Sequence, residues 1–140
     1  VCLSRVQGTY PIQTPVVPIG SRQPLGVNAG GLALLSSLPE ADISRVLEEI
    51  GPRLRRYGYL DVQELRKLCA SAQATGYSHI AGRAVPGVSA VGLPIRSSAG
   101  GAVAAITVAT TETRMTEKRV REILPMLQRA SDQIAQLVRP

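Results

Sequence analysis

The segment Val85–Thr110, VPGVSAVGLPIRSSAGGAVAAITVAT, decides the fold that the sequence predicts. It holds two runs rich in β-branched and small residues, Val88–Ile95 and Ala102–Thr110. Between them, Arg96–Gly101 supplies the serines and glycines of a short loop, which is the pattern of an antiparallel β-hairpin. Because both runs are apolar nearly throughout, we expect the hairpin to form the centre of a sheet that is covered on both faces.

Four small residues of the hairpin are assigned to one face of the sheet. Because their side chains are short, they leave space above that face. They are Ala90, Gly92, Ala104 and Ala109. Ser89 and Thr107 place hydroxyl groups in the same apolar ribbon. A buried hydroxyl without a partner costs about 1–3 kcal/mol, so each one needs a protein, water or ligand partner. A ligand pocket is one way to supply that partner.

Three further strands are predicted outside the hairpin. Val1–Val6 and Tyr10–Val17 have strand-like composition, and the prolines of the second are typical of an edge or irregular strand. Tyr77–Ala81 reads as a strand that returns to the sheet just before the hairpin. The sequence therefore predicts a central antiparallel sheet of five to six strands.

Four helices are predicted from capping residues and from apolar residues at helical spacing. The first lies within Leu25–Ser37, with Asn28 as its N-cap. Its first turn contains Gly30 and Gly31, which indicates the close approach of a ligand or another backbone, or tight helix–sheet packing. The other three begin after Leu38, Asp61 and Thr116, and the last is long. With the sheet they make an α+β domain.

Length and composition indicate one domain. The 140 residues are 44% hydrophobic, and no apolar run approaches the ~20 residues of a membrane span, so we expect a soluble protein. The chain starts at Val1, inside a strand-like run, from which we expect a single domain, residues 1–140, excised from a longer protein. Cys2 and Cys69 are far apart and have no Cys or His nearby, which favours reduced cysteines and a cytoplasmic location.

The sequence lacks the residue clusters of most catalytic and metal sites. His79 is the single histidine, and no Cys pair, acidic cluster of metal-ligand spacing, GxSxG motif or phosphate-binding glycine motif occurs. The net charge of +6 comes from dispersed basic residues, which argues against a DNA-binding surface on this segment. By elimination the sequence favours a binding or interaction domain over an enzyme, and it predicts no metal or cofactor.

Six motifs resemble, in order and spacing, the C-terminal effector-binding domain of IclR-type bacterial transcriptional regulators over essentially the whole chain. They are Gly20–Leu25 leading into Ala29–Leu35, Leu38-Pro39-Glu40, Thr75-Gly76-Tyr77, Pro86–Ile95, Gly101–Val108 and Arg114-Met115-Thr116. The resemblance implies a GAF-like, profilin-like domain that binds a small-molecule effector and assembles into a homodimer or homotetramer. It also implies that DNA is bound through an N-terminal winged helix-turn-helix domain, outside these 140 residues.

The resemblance further implies an effector pocket against the sheet, below the glycine-containing first helix. The positions that match the family's pocket are Ile12, Pro15, Ala29, Gly30, Ile80, Ala90, Thr107 and Ala109. Such pockets bind small organic acids and aromatic compounds, and the apolar Ile80 and Ala90 predict a more apolar cavity than that of a glyoxylate-type sensor. The polar end of an acid is expected to meet Asn28, Ser89, Thr107 and the N–H groups of Ala29 and Gly30.

Two other functions stay open at this point. One is an assembly module that forms dimers or tetramers and whose pocket is vestigial. The other is a GAF-like enzyme that uses Cys2 or Cys69, which would require a reactive thiolate. For the sensor, we expect ligand binding to order the segment from Asn28 to Gly31 against the sheet and so to change how two domains pack.

Overall fold

The computed structural model describes residues 1–12 and 17–138, which form an antiparallel sheet with helices on both faces. The elements are α1 (Ala29–Leu35), α2 (Glu40–Ile50), a 3₁₀ helix (Gly51–Arg56), α3 (Val62–Thr75), β1 (Ser78–Ala81), β2 (Val88–Arg96), β3 (Ala102–Thr111) and α4 (Glu117–Leu137). The predicted α+β class and the long C-terminal helix are confirmed. None of the helices in the described ranges is long and apolar enough to cross a membrane.

The hairpin forms as predicted, and it supplies the central strand and one edge strand of the sheet. β2 and β3 pair antiparallel along their whole length, with an irregularity in register between Ile95 and Arg96. β1 pairs with the other edge of β2, and its first residue, Ser78, lies opposite Gly92. The N–H of Gly82 donates to the carbonyl oxygen of Val88, so the even-numbered residues of β2 direct their peptide groups toward β1.

The N-terminal segment does not add strands to this sheet. Strands were predicted over Val1–Val6 and Tyr10–Val17, but residues 1–12 contain no strand, and residues 13–16 of the second prediction lie outside the described residues. Two backbone hydrogen bonds join the segment to the loop before α1. The N–H of Cys2 donates to the carbonyl oxygen of Ser21 at 3.1 Å, and the carbonyl oxygen of Cys2 accepts from the N–H of Gly20 at 2.8 Å. The prediction of five to six strands is therefore wrong for the described residues, which contain three.

Composition misled this prediction because β propensity records how well side chains fit a half-buried, pleated surface. In the N-terminal segment that surface is missing: Val1 and Leu3 are exposed, and Val6 is 95% exposed. A strand-like sequence that buries none of its large apolar side chains gains little from pairing.

One core lies between the first three helices and one face of the sheet, which we call the α1 face. Leu32 and Leu35 of α1, Leu47 of α2 and Leu65 of α3 are fully buried there. Ile80 of β1 belongs to the same cluster. The core therefore holds α1 flat against the sheet.

A second, smaller core lies on the opposite face, which we call the α4 face. Val91 and Leu93 of β2 pack against Val120 and Leu127 of α4. The Ser131 Oγ of α4 donates to the carbonyl oxygen of Pro94 at 3.1 Å. Since side chains alternate along a strand, odd-numbered residues of β2 face α4 and even-numbered residues face α1.

Candidate functional site

The start of α1 is fixed by its cap, as predicted. The Asn28 side chain accepts a hydrogen bond from the N–H of Gly31 at 2.7 Å, and its amide nitrogen donates to Gln23 Oε1 at 2.7 Å. Both ends of the Asn28 amide are thus engaged within the protein. Gln23 was missed by the sequence reasoning, because a contact across five residues of loop leaves no periodic signal.

Two glycines allow α1 to lie unusually close to the sheet. A methyl group added at Gly30 would lie 3.2 Å from Thr107 Cγ2 and 3.7 Å from Ala105 Cβ. One added at Gly92 would lie 2.9 Å from the carbonyl oxygen of Ala29. The sequence left two explanations open for Gly30, the close approach of a ligand or another backbone and tight helix–sheet packing. The structure shows the helix–sheet packing. Gly92 could have been singled out, since a glycine inside a strand signals close backbone approach.

A buried serine ties the same helix to the strand below it. The Ser78 Oγ donates to the carbonyl oxygen of Ala29 at 2.6 Å and lies 3.3 Å from the carbonyl oxygen of Gly92. Its side chain is almost completely buried. Sequence reasoning missed Ser78, although a hydroxyl in an apolar strand was the argument that selected Ser89 and Thr107.

The α1 face brings together most of the predicted pocket positions. Those that share it are Ala29, Gly30, Ile80, Ala90, Thr107 and Ala109. Ile80 is part of the buried core, whereas the side chains of Thr107 and Ala109 are exposed and Ala90 is half-buried. The candidate site is therefore an open strip along β3, next to the start of α1, rather than an enclosed cavity.

Ser89 is not at this site, because it lies on the α4 face. Its hydroxyl oxygen is 2.9 Å from Nε2 of His79, which supplies the partner that a buried hydroxyl needs. Adjacent residues of a strand point to opposite faces, so Ser89 and Ala90 cannot both contact one ligand. Ala104 lies opposite Ile95 and is likewise on the α4 face, contrary to its assignment among the small residues of the pocket side.

The two remaining predicted positions belong to the N-terminal segment. Ile12 is 63% exposed and lies in a segment without regular structure. Pro15 lies outside the described residues. The part of the pocket that these two residues were expected to form therefore stays a prediction.

Burial shifts the pKa of two titratable groups that the sequence raised as chemical candidates, His79 and Cys69. It lowers the pKa of His79 below the ordinary value of 6.5, so this imidazole is neutral near pH 7. It raises the pKa of the Cys69 thiol to about 11, so Cys69 is protonated at neutral pH and is a poor nucleophile. No group of His, Cys, Asp and Glu side chains that could hold a metal ion occurs in residues 1–12 and 17–138.

Two grooves lie elsewhere on the surface. One, of about 210 Å³, is between the C-terminal ends of α1 and α3 and is bordered by Arg96. The other, of about 280 Å³, is between β3 and the first turns of α4 and is bordered by Arg114 and Arg119. Neither includes Thr107, and the second shares only Ala109 with the predicted pocket positions in the described part of the chain.

Known proteins match this chain in sequence and in fold. The family model "Bacterial transcriptional regulator IclR C-terminal" matches residues 1–136. The HTH-type transcriptional repressor AllR of Salmonella paratyphi A is 33% identical over 105 residues, which are 73% of this chain and 38% of that protein. The match thus spans well under half the length of this curated relative, a transcriptional repressor.

Solved structures give the same assignment. A transcriptional regulator from Rhodococcus sp. RHA1 has a TM-score of 0.77 at 26% identity, over 91% of this chain and 52% of that one. The inducer-binding domain of PobR from Acinetobacter, a double mutant in complex with 3-hydroxybenzoic acid, has a TM-score of 0.72 at 20% identity, over 90% and 75% of the two chains. The chain therefore belongs to the family of C-terminal domains of IclR-type bacterial transcriptional regulators.

Proposed function

We propose that this domain senses a small organic or aromatic acid, which binds along the α1 face of the sheet beside the start of α1. The observation that carries the proposal is that a methyl group added at Gly30 would lie 3.2 Å from Cγ2 of Thr107, so an exposed threonine stands beside the first turn of a helix. A ligand at Thr107 would lie beside the start of α1. The binding event and the position of α1 are therefore coupled.

The chemistry of the strip suits the two ends of such a molecule. Ala90, Ala105 and Ala109 offer a flat apolar surface without large side chains, and Thr107 supplies a hydroxyl that donates or accepts a hydrogen bond. Asn28 caps Gly31, so among the described residues the N–H groups of Ala29 and Gly30 have no hydrogen-bond acceptor. They would donate to the oxygen atoms of an acid, whose apolar body would lie on the alanines.

An aromatic acid is the ligand class that we favour within this proposal. The PobR domain, which was solved with 3-hydroxybenzoic acid, has the same fold, so an acid of that size is compatible with this architecture. Ile12 and Pro15 are retained as proposed contacts on the open side of the strip. DNA would be bound by the winged helix-turn-helix domain of a longer protein.

The proposed mechanism is a population shift. Ser78 and Gly92 fix the first residue of α1 on the sheet, so an acid at Thr107 would favour one position of the helix over others. In a homodimer or homotetramer, that preference would change how the domains pack and thus the spacing of the DNA-binding parts.

Calorimetric titration tests the proposal. We expect 3-hydroxybenzoate or benzoate to give saturable heat with this chain, and Thr107→Val to weaken binding about tenfold, since it removes one hydrogen bond to a charged group. Thr113→Val, another exposed Thr to Val exchange away from the strip, is the control and should bind normally. Equal affinities for the chain and for Thr107→Val, or no heat from any acid of the panel, would contradict the proposal.

An assembly module is the second candidate, and exposed apolar side chains on α4 favour it. Met126 and Ile134 are partly exposed and Leu137 is 81% exposed, on a helix whose other side already packs on the sheet. A second copy of the domain would cover them. This function predicts self-association without any effect of acids.

A further inference from the structure

The groove on the α4 face is lined by cationic and aliphatic side chains. It lies between the end of β3 and the first turns of α4, and its volume is about 280 Å³. Its lining residues are Val108, Ala109, Thr110, Arg114, Arg119 and Ile123. Val108 and Thr107 are neighbours whose side chains lie on opposite faces of β3, so the sheet separates this groove from Thr107, and Ala109 borders both the groove and the proposed effector strip.

Arg114 is held in place at one side of the groove by two contacts. Its guanidinium carbon lies 3.7 Å from the centroid of the Tyr10 ring, and its Nη1 donates to the hydroxyl oxygen of Thr110 at 3.3 Å. Among the described residues, no carboxylate forms an ion pair with it. The result is an oriented, unneutralised guanidinium with hydrogen-bond donors to spare.

The rest of the lining adds positive potential and an apolar wall. Arg119 is half-exposed, and among the described residues its ion pair is with Glu122, at 3.1 Å. It stands in the first turn of α4, whose N-terminal end carries partial positive charge. Val108 and Ile123 form the aliphatic part. No acidic side chain is among the described residues that line this groove.

We propose that this groove is a second binding site, specific for a small organic carboxylate with a short apolar body. The carboxylate lies against the guanidinium of Arg114, in the two-oxygen geometry that arginine favours, and Arg119 adds charge beside it. The apolar body lies on Val108 and Ile123. The volume lies just below the usual range of small-molecule sites, which fits an acid as small as benzoate.

NMR titration with benzoate, and with the neutral benzamide as the matched control ligand, tests this site. In the 140-residue chain we expect benzoate to shift the amide signals of Val108, Thr110 and Ile123 and the Nε–H signal of Arg114. Benzamide, which has the same ring but no charge, should leave them in place. Arg114→Gln should weaken the benzoate affinity of these signals about tenfold or more, since it removes a charged hydrogen-bond partner.

Three further variants and one further ligand make the outcome decisive. Arg119→Gln changes an exposed side chain, so it should keep the fold and reduce the benzoate affinity by a smaller factor than Arg114→Gln does. Arg114→Lys keeps the charge, so it should bind benzoate more tightly than Arg114→Gln. Thr107→Val should leave these shifts unchanged, because its side chain is on the other face. Shifts that benzoate causes only near Thr107 and Gly30 would overturn this inference while supporting the effector strip. Tighter binding of a glutamate-rich peptide than of benzoate would overturn it in favour of a protein partner.

Discussion

His79 is the residue through which pH should act on this domain most directly. Its ring lies on the α4 face beside Ser89, and burial lowers its pKa below 6.5. In the unfolded chain the imidazole titrates near 6.5, so below that pH the unfolded state binds a proton that the folded state resists. Titration of His79 therefore leaves the free energy of unfolding unchanged above about pH 6.5 and lowers it as the pH falls below that value.

We expect His79→Gln to reduce this loss of stability in acid. The free energy of unfolding, measured by urea denaturation, should fall between about pH 7.5 and about pH 5.5 in the chain and fall less in His79→Gln. Glutamine can keep a hydrogen bond to Ser89, so the comparison isolates the charge. Because the chain has a single histidine, no other imidazole contributes. The same pH dependence in both proteins would refute the assignment.

Single residues also show what the sequence could and could not supply. The cap at Asn28 was predictable, because an N-cap is a local signal of a few residues. The face on which Ser89 lies was not predictable, because it depends on strand register, and an error of one position reverses it. Ser78 and Gly92 act through Ala29 of α1, which is 49 and 63 residues away in sequence, so only the tertiary structure reveals their roles.

At the scale of elements, the packing of α1 on β2 is set by the absence of a side chain at Gly92. Gly92→Ala would place a methyl group 2.9 Å from both the carbonyl oxygen of Ala29 and the hydroxyl of Ser78. Since the carbonyl belongs to backbone, helix and strand must separate. We expect a loss of about 1–3 kcal/mol in the free energy of unfolding by urea denaturation, as for other overpacked cores.

Gly101→Ala is the matched control for Gly92→Ala. It makes the same exchange in the hairpin loop, where an added methyl group has no atom within 4 Å and where the backbone is not in the left-handed region. It should change stability by well under 1 kcal/mol. Equal stabilities of the two variants would show that the contact of α1 with β2 adapts without cost.

The elements that were predicted correctly are those with strong local signals. The hairpin has two β-rich runs and a glycine-containing loop, and α3 has the capping residue Asp61 and ends at Gly76, whose φ is +85°. The two N-terminal strands had composition alone. Without a surface on which to bury their side chains, composition was not enough.

At the scale of the whole molecule, the sheet separates two cores, and α4 still has apolar side chains in solvent. Met126→Ser combined with Leu137→Ser should lower the self-association of the domain, measured by sedimentation velocity over a range of concentrations, if a second copy covers α4. Tyr59→Ser, which removes an exposed ring far along the chain from α4, is the control. Unchanged association in the double variant would exclude α4 as the interface.

The family was recognised from the sequence because its signals are distributed over the whole chain, and the match to residues 1–136 bears this out. The residues predicted for the site do not all lie on one face of the sheet. A family resemblance transfers positions, but whether a position is open, buried or on the opposite face depends on contacts between elements. Thr107 and Ile80 illustrate this, since both match pocket positions and yet one is exposed and the other is in the core.

Pro94 has a consequence for how reliably this sheet assembles. The even-numbered residues of β2 direct their peptide groups toward β1, but Pro94 has no N–H to offer, and its carbonyl oxygen is taken by Ser131. If β1 slid by two residues to bring Ser78 opposite Pro94, one bond of the ladder would be missing. A slide in the other direction would separate Ser78 from Ala29. Slipped registers are thus penalised on both sides, so misregistered sheets should be rare kinetic traps during refolding.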